Sequence, residues 1–314
     1  MKILVIGAGA IGGYFGAVLA RDGHSVTMLA RGQQLQALRS RGVQIVGGPD
    51  EGTVPVNVVS DLNQIESPDL VLFAVKSYDT AEVCQNLRPA LAVNSVVLEL
   101  QNGVDRAEEI DHLLGSLDNV LAGTVYMEVR MESPGVIQYL SGARRIVFGE
   151  VNQPITSRVA QIRDTFIAAG INAEAYDDVS LELWRKFLLV CAANSLTALT
   201  KSPFGDIIGF PPGRQLVSDI ISEAVTVGRH LGVNLGLDIV EKSMAFLDSM
   251  GPNLRSSMLR DIELNRLTEM DALNGYVVRQ AEKFGLDVPL NRLIWTALAL
   301  HNRSVGTATS EPRR

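Results

Sequence analysis

The sequence predicts an α/β fold in two parts: a mostly parallel sheet covered by helices, followed by an all-helical domain. Three observations predict it. Short apolar runs alternate with helical segments through the first half, a glycine-rich turn joins the first run to the first helix, and β-type runs cease after Asp177-Asp178. With 314 residues the chain is long for one simple core and comfortable for two. The expected division is a sheet domain over 1–178, a helical domain over 179–303 and a loose polar tail over 304–314.

Lys2–Ile6 reads as a compact strand, Gly13–Arg21 as an amphipathic helix, Ser25–Leu29 as a second strand and Gln33–Arg41 as a helix. Asp69–Val75 and Ser95–Leu100 are apolar on both faces, the pattern of parallel strands buried from two sides, with a helix at Thr80–Leu91 between them. Val43–Val46 and Val54–Val59 flank a Gly/Pro-rich turn and suggest a hairpin-like insertion. Val120–Arg130, Val136–Leu140 and Arg145–Gly149 read as strands parted by Ser133-Pro134-Gly135 and Ser141-Gly142. A helix at Thr156–Ala169 and a strand at Ile171–Tyr176 complete this half. Beyond it, Leu181–Ala193, Arg214–Leu231, Ile239–Ser249, Ser257–Phe284 and Leu290–Arg303 carry helical periodicity, with Gly and Pro at the breaks.

Lys and Arg number 28 against 35 Asp and Glu, a formal charge of −7. Such a surface does not attract phosphate backbones over long range, so neither a nucleic acid nor an anionic membrane is an expected partner. Two scattered cysteines, Cys84 and Cys191, suit a reducing compartment and form no metal-ligand cluster. His24, His112, His230 and His301 are isolated, so no metal is expected. The first apolar run is too short for a secretory signal, and no stretch approaches the roughly 20 apolar residues that span a bilayer. A cytoplasmic protein is expected.

Gly7-Ala8-Gly9-Ala10-Ile11-Gly12 follows the first strand and opens a helix. Gly7 permits a tight turn, Gly9 lets backbone approach a pyrophosphate, and Gly12 lets helix and strand pack closely. The helix N-terminus supplies N–H groups and partial positive charge to phosphates. A GxGxxG pattern alone also fits an ordinary turn; the strand before it, the helix after it and a second strand at the expected distance make it a Rossmann-like dinucleotide signature. The second strand ends Met28-Leu29-Ala30-Arg31, with a guanidinium where an acidic residue would select NAD(H). Arg31 favours NADP(H) through bidentate contact with a 2′-phosphate; the alternative is a solvated loop charge.

Lys76 and Asn102-Gly103 follow two strands at the carboxyl edge, where open α/β sheets bind ligands. Either is also an ordinary turn residue. Lys186, in Trp184-Arg185-Lys186-Phe187, begins the helical half, and Asn194 lies two helical turns on, near the same face. A lysine there either snorkels to solvent or, partly buried beside a cofactor, gives a proton to a developing alkoxide. Ser257 and Glu269 are twelve residues apart, about 18 Å at ~1.5 Å per residue in a continuous helix, too far to share one small group. Glu269 reads equally as an exposed helix carboxylate.

These residues give the chain its resemblance to the ketopantoate reductase (2-dehydropantoate 2-reductase) family. The matching segments are Gly7–Gly12 with Tyr14 and Gly16, Ala30-Arg31-Gly32, Val75-Lys76-Ser77, Gln101-Asn102-Gly103 and Trp184-Arg185-Lys186. Ser256 to Asp261, Thr268 to Asp271 and Asn274-Gly275 extend the match over nearly the whole length. The resemblance implies a Rossmann domain, a helical domain, a site in the cleft between them, and NADPH-dependent reduction of a 2-oxo acid within pantothenate synthesis. It implies Lys186 as the proton donor, Lys76 and Asn102 as cofactor-side contacts with Asn102 also counted toward substrate, and Asn194 and Ser257 on the substrate. Glu269 is assigned to the cofactor side of the cleft, with Gly7, Ala8, Gly9, Ala10, Ile11, Gly12 and Arg31 holding the dinucleotide.

The chain departs from the family pattern at two pocket positions, where Val190 and Phe204 stand in place of asparagines. Each lost hydrogen bond forfeits about 0.5–1.5 kcal/mol toward a hydroxylated substrate. Besides ketopantoate reduction, two readings stay open: a reductase of a more apolar 2-oxo acid or related carbonyl, and an inactive NADP-sensing regulator. The apolar C-terminal helices also leave a homodimer open.

Overall fold

The computed structural model describes residues 1–65, 67–116, 118–151 and 153–310, with side chains as far as Gly306. The chain forms two compact units, Met1–Gln101 with Asp105–Ser180, and Asn102–Val104 with Leu181–Arg314.

In the first unit β1 (Lys2–Ile6), α1 (Ala10–Arg21), β2 (Ser25–Leu29), α2 (Gly32–Arg41), β3 (Val43–Val46), β4 (Gly52–Val54) and β5 (Asn57–Val59) come first. β6 (Leu70–Phe73), α3 (Thr80–Leu87), β7 (Val96–Glu99), α4 (Arg106–Leu114), β8 (Val120–Ser133), β9 (Val136–Gly149), α5 (Ser157–Ala168) and β10 (Asn172–Ala175) follow. One sheet runs β4-β3-β9-β8-β7-β6-β1-β2-β5, with β10 beside β9. Among the described residues only β3·β4 and β8·β9 pair antiparallel. The central strands are buried from end to end, and alternate side chains serve opposite faces. Ile3, Val5, Leu70 and Leu72 join Phe15, Leu19 and Phe166, while Leu4, Ile6, Val71 and Phe73 join Val83, Leu87 and Ile110.

The first unit departs from the sequence expectation in three ways. The hairpin forms from β3 and β4, but beyond Pro55 the chain leaves it, and β5 pairs parallel with β2 at the far end of the sheet. The three short strands expected between residues 120 and 149 are two strands of 14 residues. Register shifts absorb Ser141-Gly142, where Gly142 takes φ +104° and a Cβ would lie 2.7 Å from Met127 Cα. Helix α4 went unread, although Ala107, Ile110 and Leu114 bury one face and Gly115 closes it in the left-handed region.

The second unit consists of α6 (Ser180–Thr200), α7 (Phe204–Gly209), α8 (Pro211–His230), α9 (Ile239–Asp248), α10 (Ser257–Glu263), α11 (Asn274–Phe284) and α12 (Pro289–Ser310). Its described residues hold no strand, and no described helix is long and apolar enough to cross a membrane. Trp184, Phe187 and Tyr276 pack edge to face at its centre, with ring centroids 5.2–6.4 Å apart.

The helix expected over Ser257–Phe284 is broken. Chain after Glu263 passes Asn265 at φ +51° and reaches a 3-10 turn at Met270–Ala272. Asn302 on α12 accepts from the Thr268 N–H at 2.8 Å, and Trp295 Nε1 donates to Asp271, so α12 holds the interruption open. The expected tail from Ser304 is also corrected: α12 continues to Ser310, with Val305 buried on the face of Ile294 and Leu298. Residues 311–314 of that tail lie outside the described residues.

Candidate active site

In the first unit β1 sits between β2 and β6, and the strand order reverses there. The carboxyl ends of β1 and β6 are therefore the ligand-binding edge of the sheet. The glycine turn occupies it. Gly7 has φ +94°, and a Cβ there would stand 2.5 Å from the Ala74 backbone. A Cβ on Gly12 would stand 2.3 Å from Gly7 O and 2.9 Å from Val5 Cγ1. Over Gly9, by contrast, the nearest atom to such a Cβ is 3.9 Å away. Gly9 caps α1 with no side chain, and the first turn, Ala10-Ile11-Gly12, carries no carboxylate. The amides that open α1 thus face open space, a cradle that fits a pyrophosphate. Tyr14, one turn further, is buried and donates to Asp50, which also accepts from Arg144 at 2.8 Å. Burial first, then Asp50, raise the Tyr14 pKa. It fastens α1 to the β3–β4 turn.

Arg31 begins immediately beyond β2, its side chain 79% exposed and 3.9 Å from the Glu82 carboxylate. Lys76 follows β6, half-buried, and precedes a 3-10 turn over Ser77–Asp79. Sequence reasoning missed what fixes this loop. Gln101 Nε2 donates to Val75 O and to Thr80 Oγ1, each at 2.9 Å, tying the chain after β7 to the chain after β6. Glu99, wholly buried at the end of β7, accepts from the Gln101 N–H at 2.9 Å. Burial pushes its carboxyl up to about 8, against the backbone bond from Gln101 and the charge of Arg106. The signal available was Gln101 directly before Asn102, a polar residue at the end of an apolar strand.

In the second unit α6 is buried over most of its middle, from Glu182 to Ala198. Lys186, Val190 and Asn194, spaced by four, form a half-buried stripe among covered residues, with exposed Arg185 beside Lys186. Desolvation lowers the Lys186 pKa to about 8. Asn102-Gly103-Val104 packs with this unit, Val104 against its core, and Gly103 takes φ +131°.

Buried Ser256 caps α10, accepts from the Leu259 N–H and donates to the Asn194 carbonyl at 3.3 Å. Thr197 on α6 donates to Ser256 at 2.6 Å. These bonds bring exposed Ser257, the first residue of α10, alongside Asn194. Glu269 is buried, not an exposed helix carboxylate, and stands beyond the break in front of the 3-10 turn. The straight-helix separation from Ser257 therefore does not apply. Val190 borders the core, and Phe204 is wholly inside it.

A second support also escaped the sequence reading. Asn274, fully buried on α11, donates through Nδ2 to Cys191 O on α6 at 3.2 Å and to Asn291 Oδ1 on α12 at 2.8 Å. Asn291 in turn donates to Glu223 Oε2 on α8 at 2.7 Å. This amide relay anchors α6 midway between Lys186 and Asn194.

A family model described as ketopantoate reductase PanE/ApbA matches residues 3–153, and its companion, ketopantoate reductase PanE/ApbA C terminal, matches residues 178–302. The chain belongs to the ketopantoate reductase family. It is 30% identical over 303 residues to the Bacillus subtilis (strain 168) protein called uncharacterized oxidoreductase YkpB, covering 96% of this chain and 99% of that one. It is 30% identical over 293 residues to 2-dehydropantoate 2-reductase of Archaeoglobus fulgidus, covering 93% and 95%. Among solved structures, the PanE/ApbA family ketopantoate reductase of Ralstonia eutropha JMP134 matches with a TM-score of 0.90 at 35% identity, covering 98% of this chain and all of that one. Ketopantoate reductases are oxidoreductases acting on CH–OH groups and bind NAD(P)H. The turn at Gly7–Gly12 fits such a dinucleotide.

Proposed function

We propose that this ketopantoate reductase family member reduces 2-dehydropantoate to pantoate with NADPH, in pantothenate biosynthesis in the cytoplasm, with Lys186 as the proton donor. The observation that carries the reading is the α6 stripe: a half-buried lysine with its pKa lowered to about 8, two turns from an amide on the same face of the helix. At pH 7 that ammonium is mostly protonated, yet it gives up its proton more readily than a solvated lysine. Its charge also stabilises negative charge growing on the carbonyl oxygen. Bound dinucleotide supplies the hydride for the carbonyl carbon. The residues of this chain do the rest. The opening amides of α1 grip the pyrophosphate, Lys76, Asn102 and Glu269 serve the cofactor, and Asn194 and Ser257 hold the oxo acid. NADPH is preferred because Arg31 replaces the carboxylate that would repel a 2′-phosphate.

A second reading keeps the chemistry and changes the acceptor to a more apolar 2-oxo acid. Val190, half-buried between Lys186 and Asn194, favours it, since its side chain offers no hydrogen bond to a substrate hydroxyl. One experiment tests both: dinucleotide oxidation followed at 340 nm with ketopantoate and with a panel of branched 2-oxo acids, using NADPH and NADH. Ketopantoate is expected to give the highest kcat/KM with NADPH. A higher value for a branched acid lacking the hydroxyl replaces the first reading with the second, and no oxidation with any carbonyl rejects both.

A further inference from the structure

The peptide between Ala8 and Gly9 is held from outside the glycine turn. Gln34, half-buried on α2, donates through Nε2 to Ala8 O at 2.7 Å. Its other amide atom, Oε1, accepts from the Gly135 N–H at 2.8 Å, at the tip of the β8–β9 hairpin. Both partners are main-chain groups of fixed polarity, so the amide has a single orientation that satisfies both ends. The tip is itself docked: Gln44 N donates to Gly135 O at 2.8 Å, and Arg41 donates to Pro134 O. Gly135 takes φ +78°, and a Cβ there would stand 3.2 Å from Ala37 Cβ. Gln34 is thus braced on one side by the hairpin and grips the turn on the other.

In a trans peptide the carbonyl of one residue and the N–H of the next point in opposite directions. Holding Ala8 O against Gln34 therefore fixes the Gly9 N–H in the opposite sense. A flip of that plane would exchange a donor for an acceptor at the mouth of the cradle. Gly9 has no Cβ and the space over it is open, so nothing local to the glycine blocks the flip.

We infer that Gln34 is a positioning residue for the dinucleotide: through Ala8 it locks the peptide plane of the phosphate-binding turn and couples that turn to the β8–β9 hairpin. The inference rests on reading Gly7–Gly12 as a pyrophosphate site. It predicts that the pyrophosphate end of the ligand, not the 2′-phosphate, feels the loss of Gln34.

Two variants separate its two bonds. Gln34→Leu removes both. Gln34→Glu keeps an oxygen for the Gly135 N–H but sets a second oxygen against Ala8 O, which favours the flipped plane. Binding of NADP⁺, NAD⁺ and adenosine 2′-phosphate, which lacks a pyrophosphate, is measured by calorimetry on the wild type and both variants. Amide hydrogen exchange at Gly135 is read on the ligand-free proteins.

The expected result is a loss of roughly tenfold to a hundredfold for both dinucleotides, larger for Gln34→Glu, with the NADP⁺/NAD⁺ ratio and adenosine 2′-phosphate binding unchanged. Gly135 exchange accelerates in Gln34→Leu and stays protected in Gln34→Glu. Wild-type binding of NADP⁺ that survives in Gln34→Glu overturns the role of Gln34 alone. An equal loss for adenosine 2′-phosphate overturns it as well, by moving the effect to the adenine end. A wild type that binds no dinucleotide overturns the underlying reading of the turn.

Discussion

Lys186 carries two consequences with opposite signs. In its proposed role as proton donor it is needed in its charged form, and its removal in Lys186→Ala is expected to lower kcat by about a hundredfold to ten-thousandfold while leaving NADPH binding, read by fluorescence titration, unchanged. With the pKa lowered to about 8, the rate of reduction stays level on the acid side and falls as pH rises above about 8, because the ammonium proton is lost. The same burial makes the lysine a burden on folding. An unfolded-chain lysine keeps its proton up to about 10.4, whereas the folded one releases it near 8. Below pH 8 the charged form is thus penalised in full, and the penalty disappears as pH climbs from 8 to 10.4. Lys186→Met, similar in length and uncharged, is expected to be more stable than the wild type by on the order of 2 kcal/mol at pH 7. Urea unfolding at several pH values checks this: the gap should close over that window, and a gap independent of pH would mean that desolvation of the ammonium is not its source. Arg31 makes a separate, purely selective claim. Arg31→Ala is expected to cost NADPH about tenfold in KM and NADH little, since only one of them carries the 2′-phosphate.

At the scale of elements, what the sequence revealed and what it hid divide along one physical line. β1, β6 and β7 are legible because burial on both faces demands unbroken apolar runs, and α1 because its turn demands glycine at Gly7 and Gly12. The break between α10 and α11 is hidden because Leu264 to Leu273 keeps helical periodicity; Asn302 and Trp295, some thirty residues further along the chain, decide it. The site divides in the same way. Lys186 and Asn194 show their shared face by spacing alone, whereas Gln101 and Asn274 act through main-chain carbonyls that no sequence pattern displays. Asn274 offers the sharper test. Its Nδ2 serves Cys191 O and Asn291 in a dry interior, so Asn274→Leu leaves both without that donor. The expected cost is about 2–3 kcal/mol by urea denaturation, and because α6 loses an anchor between Lys186 and Asn194, kcat falls further than folding loss explains. Unaltered kcat in the folded fraction would make the relay a stability device only.

For the whole molecule, the decisive feature is that its hydrophobic residues gather in separate clusters. Those of the sheet unit lie on the two faces of one sheet, and that of the helical unit gathers around Trp184, Phe187 and Tyr276. Each unit buries its own apolar surface, which is the condition for each to melt as its own cooperative step rather than in one transition. The chain carries a built-in means of telling them apart, because both of its tryptophans, Trp184 and Trp295, belong to the helical unit. Tryptophan emission therefore follows that unit alone, while far-ultraviolet circular dichroism follows helices and strands of both. In urea the two signals are expected to give transitions with different midpoints. NADP⁺ at a hundred times its dissociation constant adds about 2.7 kcal/mol to whatever it binds. If its grip is chiefly on the turn between β1 and α1, it moves the part of the dichroism transition that emission does not report, and moves emission less. Coincident curves that shift together with NADP⁺ would instead show that the two units unfold as one, with the dinucleotide's binding energy shared across both.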